Sequence, residues 1–396
     1  MKKVSRLLIF FFAMVLLLAG GCAVEEAAGE KGPVTIGVIL PLSGKDQIPG
    51  ERMLAGLRHA EYELNTHRGI NNRQVRLLVF DSAGKPDESS AAFLTAVRSG
   101  VKGVICGGNE EEILAAAPLA QQHKMPLLVL RETADSVVGI NPFVYRSIYS
   151  DTQQSETLAA YLWYWRQMLR ISVLMDDSPD ASYERNTARA VAGAFREFGG
   201  SVTSTPVYRG KDFKKAVTDA LITGPQAVIV SARGERAAAI VTELRKKGYK
   251  GAVCGLDGWD QPEFFKALTA LGDPGDCVYI SLFTPTDSIE EFNDFRADFR
   301  RRNFHEPGNL ETIGYDALKL LAIGLGQARN AGDFNKNWLS IRNHFGAAGT
   351  YTMLRKGKID RTMFINAVDP AKGNISGCQG RLLRSFMHSR LATYKY

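Results

Sequence analysis

His59 and His67, eight positions apart, are the closest pair among the six histidines of this chain. Eight residues nearly restore the phase of an α-helix, so the two imidazoles could share a face and hold a divalent metal. Arg68 and Gly69 follow directly and read as a helix end, which favours two surface histidines and no metal site. Nucleophile and phosphate motifs are missing: there is no Gly-x-Ser-x-Gly elbow and no Walker A loop. Gly324-Leu325-Gly326 has Arg329 where a dinucleotide loop needs its third glycine, and it lies in an apolar helix rather than after a strand. The five cysteines form no Cys-x-x-Cys. With Cys22 set aside, Cys106, Cys254, Cys277 and Cys378 allow three full pairings in an oxidising compartment, or four buried thiols at strand ends. Cys254 with Cys277 is the pairing to test first, because both begin strands that could be neighbours. These absences lead to an expectation of no enzyme activity, no cofactor and no metal.

The start of the chain addresses it. Lys2, Lys3 and Arg6 precede an apolar run from Leu7 to Leu18, too short to span a bilayer comfortably, so residues 1–21 read as a signal peptide. Leu18-Ala19-Gly20-Gly21-Cys22 resembles a bacterial lipobox, with Ala19 where leucine is usual. Its small residues suit a peptidase groove, and the Cys22 thiol would then carry a diacylglyceryl anchor on a small, acidic tether, 22–33. Ordinary cleavage nearby, with Cys22 incidental, is the alternative. The expected location is therefore exported and membrane-anchored, facing the periplasm or cell exterior. The chain has 49 Lys+Arg against 42 Asp+Glu, and removing the three basic signal residues leaves 46 − 42 = +4. Arg300-Arg301-Arg302 has no interleaved aromatics and reads as a solvated helix face. Nucleic acid is not an expected partner.

Between these ends, strands and helices alternate. Val34–Leu40 is a continuous apolar run, as in a strand buried on both faces of a parallel sheet, and Met53, Leu57, Ala60 and Leu64 follow at helical spacing. Strands at 75–80, 103–106 and 126–130 alternate with helices at 89–98 and 113–123, a repeated βα unit. The pattern restarts with helix 152–169 and strand 171–175, then helix 187–198, strand 227–231, helix 237–247, strand 251–256 and helix 262–271. Helices at 289–302 and 312–329 have no strand between them and must pack on an existing sheet. Tyr351–Leu354, a Lys356-Gly357-Lys358 turn and Met363–Val368 read as a hairpin. The expected fold class is α/β, with two doubly wound parallel-sheet lobes.

From Val34 to about Val368 the chain resembles the branched-chain amino-acid-binding proteins, the type I periplasmic solute-binding proteins of ABC importers. The resemblance rests on fragments in order: Ile36 to Gly44, Gly50 with Gly56-Leu57-Arg58-His59-Ala60, and Phe80-Asp81-Ser82-Ala83. Tyr145-Arg146-Ser147, Asp151-Thr152-Gln153-Gln154, Lys211-Asp212-Phe213, Gly255 to Asp260 and the Gly349 to Phe364 segment continue it. It implies lobe I over 34–148 plus 282–348 and lobe II over 149–281 plus 349–396. Three crossovers would join them near Ser147–Asp151, Ile280–Pro285 and Phe345–Gly349, with a ligand cleft between the lobes. It also implies a small amino-acid-like ligand or related polar solute, bound by hinge closure, and an ABC permease partner in the inner membrane. A sensory protein of the same fold without a transport role is the alternative.

The same resemblance assigns site residues. Thr133, in Arg131-Glu132-Thr133, matches a threonine that meets the ligand carboxylate in the family. Where relatives carry a serine pair this chain has Asn109, Glu110 and Glu111, which would either cap the following helix or repel a carboxylate. Tyr183 matches an aromatic lid, with Glu184 replacing the glycine usual after it. Asp257 matches the acid that binds the ligand ammonium, with a turn or N-cap role in Asp257-Gly258-Trp259 as the alternative; Trp259 and Arg131 are further ligand-binding candidates. Arg233 stands near another family tyrosine, and Pro49 replaces an aromatic. With Glu110, Pro49 and Arg233 all departing, a plain leucine-type ligand is not expected.

Overall fold

The computed structural model describes residues 32–282, 290–326 and 328–368. The expected signal peptide, Cys22 and Cys378 lie outside the described residues. The chain opens on five parallel strands, β1 (Val34–Leu40), β2 (Val75–Asp81), β3 (Val104–Cys106), β4 (Leu127–Val129) and β5 (Val144–Arg146), in the order β2-β1-β3-β4-β5. Helices α1 (Gln47–Thr66), α2 (Pro86–Arg98) and α3 (Glu110–Gln122) make the returns. β3 and β4 bury every side chain and β1 all but one, so both faces of the sheet need helical cover, as in parallel α/β sheets.

Helix α4 (Asp151–Ala160) leads into a second sheet. Its strands are β6 (Arg170–Asp176), β7 (Ser201–Ser204), β8 (Val207–Tyr208), β9 (Ala227–Ser231), β10 (Ala252–Gly255) and β11 (Cys277–Ser281). They are parallel, in the order β11-β10-β9-β6-β7, with β8 also on β6. Helices α5 (Ser182–Glu197), α6 (Lys214–Ile222), α7 (Gly234–Lys246) and α8 (Pro262–Leu268) connect them. The long helix expected over 152–169 is α-helical only to Ala160 and finishes as a π-helical turn, Tyr161–Trp165. Beyond the second sheet come α9 (Glu290–Asn303), α10 (Asn309–Leu325) and α11 (Ala331–Ser340). α10 lies tightly along α1: a Cβ on Gly56 would stand 1.9 Å from the Glu311 carbonyl oxygen.

The chain's end departs from the expected hairpin. β12 (His344–Gly346), β13 (Gly349–Met353) and β14 (Ile359–Arg361) form a small antiparallel sheet of their own. β15 (Phe364–Ala367) leaves it and pairs antiparallel with β11. The passage expected at Phe345–Gly349 therefore occurs at Thr362–Met363, and residues 349–361 stay with β12. A short turn, with Lys356 at φ 60° and Gly357 at φ 69°, pairs β13 with β14 locally, and short loops cost little closure entropy.

Two pairings weighed from the sequence fail. Cys254 lies opposite Val278 and Cys277 opposite Val253, so the two thiols sit on adjacent strands but one register step apart, on opposite sheet faces. Cys106, Cys254 and Cys277 are all free and buried. Burial pushes the Cys106 thiol up to about 12 and Cys277 to about 11. His59 is buried among Phe295, Phe299 and Tyr315, while His67 is exposed at the end of α1. No cluster of metal-ligating side chains occurs among the described residues.

Candidate functional site

Loops at the carboxyl ends of strands from both sheets face a cleft of about 480 Å³. From the first sheet, Lys45 and Asp46 follow β1, Asn109 follows β3, and Arg131, Glu132 and Thr133 follow β4. From the second, Tyr183 follows β6, Arg233 follows β9, and Asp257 and Asp260 follow β10. Ligand sites of open α/β sheets lie at such strand ends, and the volume suits a small solute.

Each side chain is held for a local reason. Arg146, at the end of β5, is buried and donates to the carbonyls of Thr133 (3.4 Å) and Ala134 (2.5 Å), fixing the loop that carries Thr133. The Asp151 N–H donates to the same Thr133 carbonyl at 2.8 Å. Ser150 and Gln153 form a capping box at the start of α4, a serine with glutamine three places on, which is legible in the sequence. Gln154, one residue further, accepts from the Asp257 N–H at 3.1 Å. Tyr183 donates its hydroxyl to Asp257 at 2.5 Å and accepts the Gly258 N–H at 3.0 Å. The guanidinium of Arg233 lies 3.9 Å from the centre of the Tyr183 ring.

Charge is unevenly placed. Burial, foremost, pushes the Asp257 carboxyl up, partly offset by its bonds to Tyr183 and Gln154. Burial and the neighbouring Asp257 charge push Asp151 to about 7. Burial pushes Asp260 to about 6, with Asp257 adding to it and the Ser281 hydroxyl, 2.5 Å away, opposing it. Asp257 and Asp260 thus line one poorly hydrated end of the cleft, with buried Asp151 close enough to feel the Asp257 charge, an arrangement that favours a cation at Asp257. At the other side Arg52 forks onto Glu311 at 2.8 and 2.9 Å, and Arg131 approaches Asp46 at 3.6 Å. Asn309, at the start of α10, donates to the Asp260 carbonyl at 3.1 Å and so bridges the cleft.

The structure therefore brings Asp257, Tyr183, Thr133, Asn109, Arg131 and Arg233 to one cleft. It does not bring Glu110, Glu111 or Trp259 there. Asn109 and Glu112 form the capping box of α3, which makes Glu110 and Glu111 first-turn acids. Glu110 accepts from Ser136, and Glu111 is exposed. Trp259 is core: it stacks on Phe264 at 4.6 Å, donates to the Val230 carbonyl at 3.2 Å and covers Gly255, so it anchors the turn carrying Asp257. Asp151 and Asp260 were missed as site residues although both lie in fragments that carry the resemblance. Nothing local marks a carboxylate that only tertiary burial perturbs. Arg52 was missed because its partner, Glu311, is 259 positions away.

A fold of two parallel α/β sheets, three connections and a polar cleft at the strand ends defines a two-lobed solute-binding protein. Residues 33–369 match the model of the periplasmic binding protein family. The chain belongs to that family, whose members bind solutes and are not enzymes. It is 24% identical over 252 residues, 63% of this chain and 67% of the relative, to Leu/Ile/Val-binding protein homolog 3 of Brucella melitensis. It is 23% identical to the Leu/Ile/Val-binding protein BraC3 of Rhizobium johnstonii, covering 76% of this chain and 81% of that one. Among solved structures, the substrate-binding protein LivJ of Streptococcus pneumoniae, in complex with isoleucine, superposes with a TM-score of 0.74 at 21% identity. That comparison covers 87% of this chain and 98% of the other. A benzoate complex from Rhodopseudomonas palustris superposes with a TM-score of 0.70 at 15% identity, covering 88% and 96%.

Proposed function

We propose that this protein is the substrate-binding lipoprotein of an ABC importer, held to the membrane through Cys22 and closing its two lobes on an amino acid or related small polar solute. The observation that carries this reading is Asp257, a carboxylate that lines the cleft with Asp260 and Thr133 and feels the charge of buried Asp151. An ammonium at Asp257 would relieve the mutual repulsion of these acids; the Thr133 hydroxyl, which bonds Asp151, and the amide nitrogen of Asn109, whose side-chain oxygen caps α3, are the groups that would meet a carboxylate. Glu110 and Glu111, the reason to expect a ligand without a carboxylate, lie outside the cleft lining, so that expectation is withdrawn. The names of the relatives, Leu/Ile/Val-binding proteins, support an amino-acid ligand. On this reading lobe I holds the first sheet and lobe II the second, with closure about the three connections.

A thermal-shift screen of amino acids, amides, amines and aromatic acids identifies the ligand class. Asp257→Asn preserves shape and removes charge. It should weaken binding of the amino acid found by roughly thirtyfold or more, the loss typical of one partner in a buried charge pair. Unchanged affinity would remove the assignment.

A further inference from the structure

Arg233 is the cleft guanidinium that the protein itself leaves unused. Arg52 is taken by Glu311 and Arg131 stands near Asp46, whereas Arg233 feels the charges of Glu184, Glu132 and Asp257 without a side-chain hydrogen bond to any of them among the described residues. Its posture is nevertheless constrained. Its guanidinium lies over the face of Tyr183 at 3.9 Å, and the Tyr183 hydroxyl is locked by Asp257 and Gly258. A Cβ on Gly258 would stand 2.8 Å from the Arg233 Cγ, so this glycine makes the slot in which the side chain lies. A guanidinium stacked on a ring has its face occupied and its N–H edges left to donate, and that edge geometry matches a carboxylate bidentately. Arg233 also precedes the thirteen-residue helix α7, whose positive end adds to the same field.

We infer that the ligand of this cleft carries a second anionic group on its side chain, bound by Arg233, and that the protein therefore selects acidic amino acids over neutral ones. This rests on the amino-acid reading above: the ammonium goes to Asp257, one carboxylate to the Thr133 side, and the other to Arg233. An arginine in this place would instead be a cost for an aliphatic side chain, because a desolvated guanidinium without an acceptor is unfavourable.

The test titrates the full folded protein with glutamate, aspartate, glutamine, asparagine and leucine by calorimetry. Glutamate or aspartate should bind at least about tenfold more tightly than its own amide, the worth of a charge-assisted contact. Arg233→Met should abolish that difference, weakening the acid by more than its amide. Arg233→Lys, which keeps charge and loses the fork, should fall between. Acid and amide bound equally by the unaltered protein, or an Arg233→Met variant that retains the preference, would overturn the inference and leave the amino-acid reading standing. If none of the five binds and Asp257→Asn has no ligand to lose, both fall together. Melting curves of the variants check that each is folded. Arg233 is exposed on the cleft wall, so unfolding is not expected.

Discussion

Arg361 ties together all three regions where the chain passes between the sheets, and its removal should uncouple them. The side chain is 1% exposed. It donates to the carbonyls of Ser147 at 3.0 Å, Leu282 at 3.4 Å and Ala348 at 3.1 Å, and it lies over the Tyr351 ring at 4.7 Å. Ser147 precedes the first passage, Leu282 follows β11 at the second, and Arg361 itself opens the third. Burial pushes the Asp316 carboxyl up, and the Arg361 charge is among the groups that oppose this; Asp316 accepts the Ala347 and Ala348 N–H groups, both at 2.8 Å. Arg361→Met fills most of the volume but leaves three buried carbonyls unpaired and Asp316 without its cation. Unpaired buried polar groups cost about 1–3 kcal/mol each, and they share one donor, so the losses do not simply add. Removing one partner of a buried charge typically costs about 3–5 kcal/mol, and we expect a loss in that range. Chemical denaturation followed by circular dichroism should show either that loss or a single transition split in two as the lobes unfold separately. One transition within about 1 kcal/mol of the unaltered protein would refute the argument that this guanidinium couples the lobes.

Two further outcomes are expected. Asp151 and Asp260, raised to about 7 and about 6, hold protons in the folded protein where an unfolded chain has released them. The folded state then binds more protons, so these groups make stability fall as pH rises from about 4 to about 7. Burial lowers His59 and pulls the other way, so the readout is the difference made by Asp151→Asn. That variant should lose less stability than the unaltered protein between about pH 5 and about pH 7.5; parallel slopes would contradict the assignment. Cys22→Ala should move the protein from the membrane to the soluble fraction with ligand affinity unchanged, and continued membrane fractionation would end the lipid-anchor reading.

By itself, the sequence determined which segments must be buried. Runs such as Val34–Leu40 and Ala227–Ser231 have no polar face to offer water, and a run of that kind is stable only inside a covered parallel sheet. Alternation with helices then leaves few topologies, and the ordered fragments around Thr133, Tyr183 and Asp257 named three residues that meet in one cleft. Register was beyond it: one step separates Cys254 from facing Cys277, and local pattern carries no information about that step. Trp259 and Asp257 sit in one turn, yet the tertiary structure turned the indole inward and left the carboxylate in the cleft. Glu110 and Glu111 were likewise decided by Asn109, whose cap fixed where α3 begins. The perturbed acids Asp151 and Asp260, the Arg52–Glu311 fork and the Arg361 hinge contacts arise from groups far apart along the chain. Their energies depend on burial and distance, and those quantities exist only once the chain has folded.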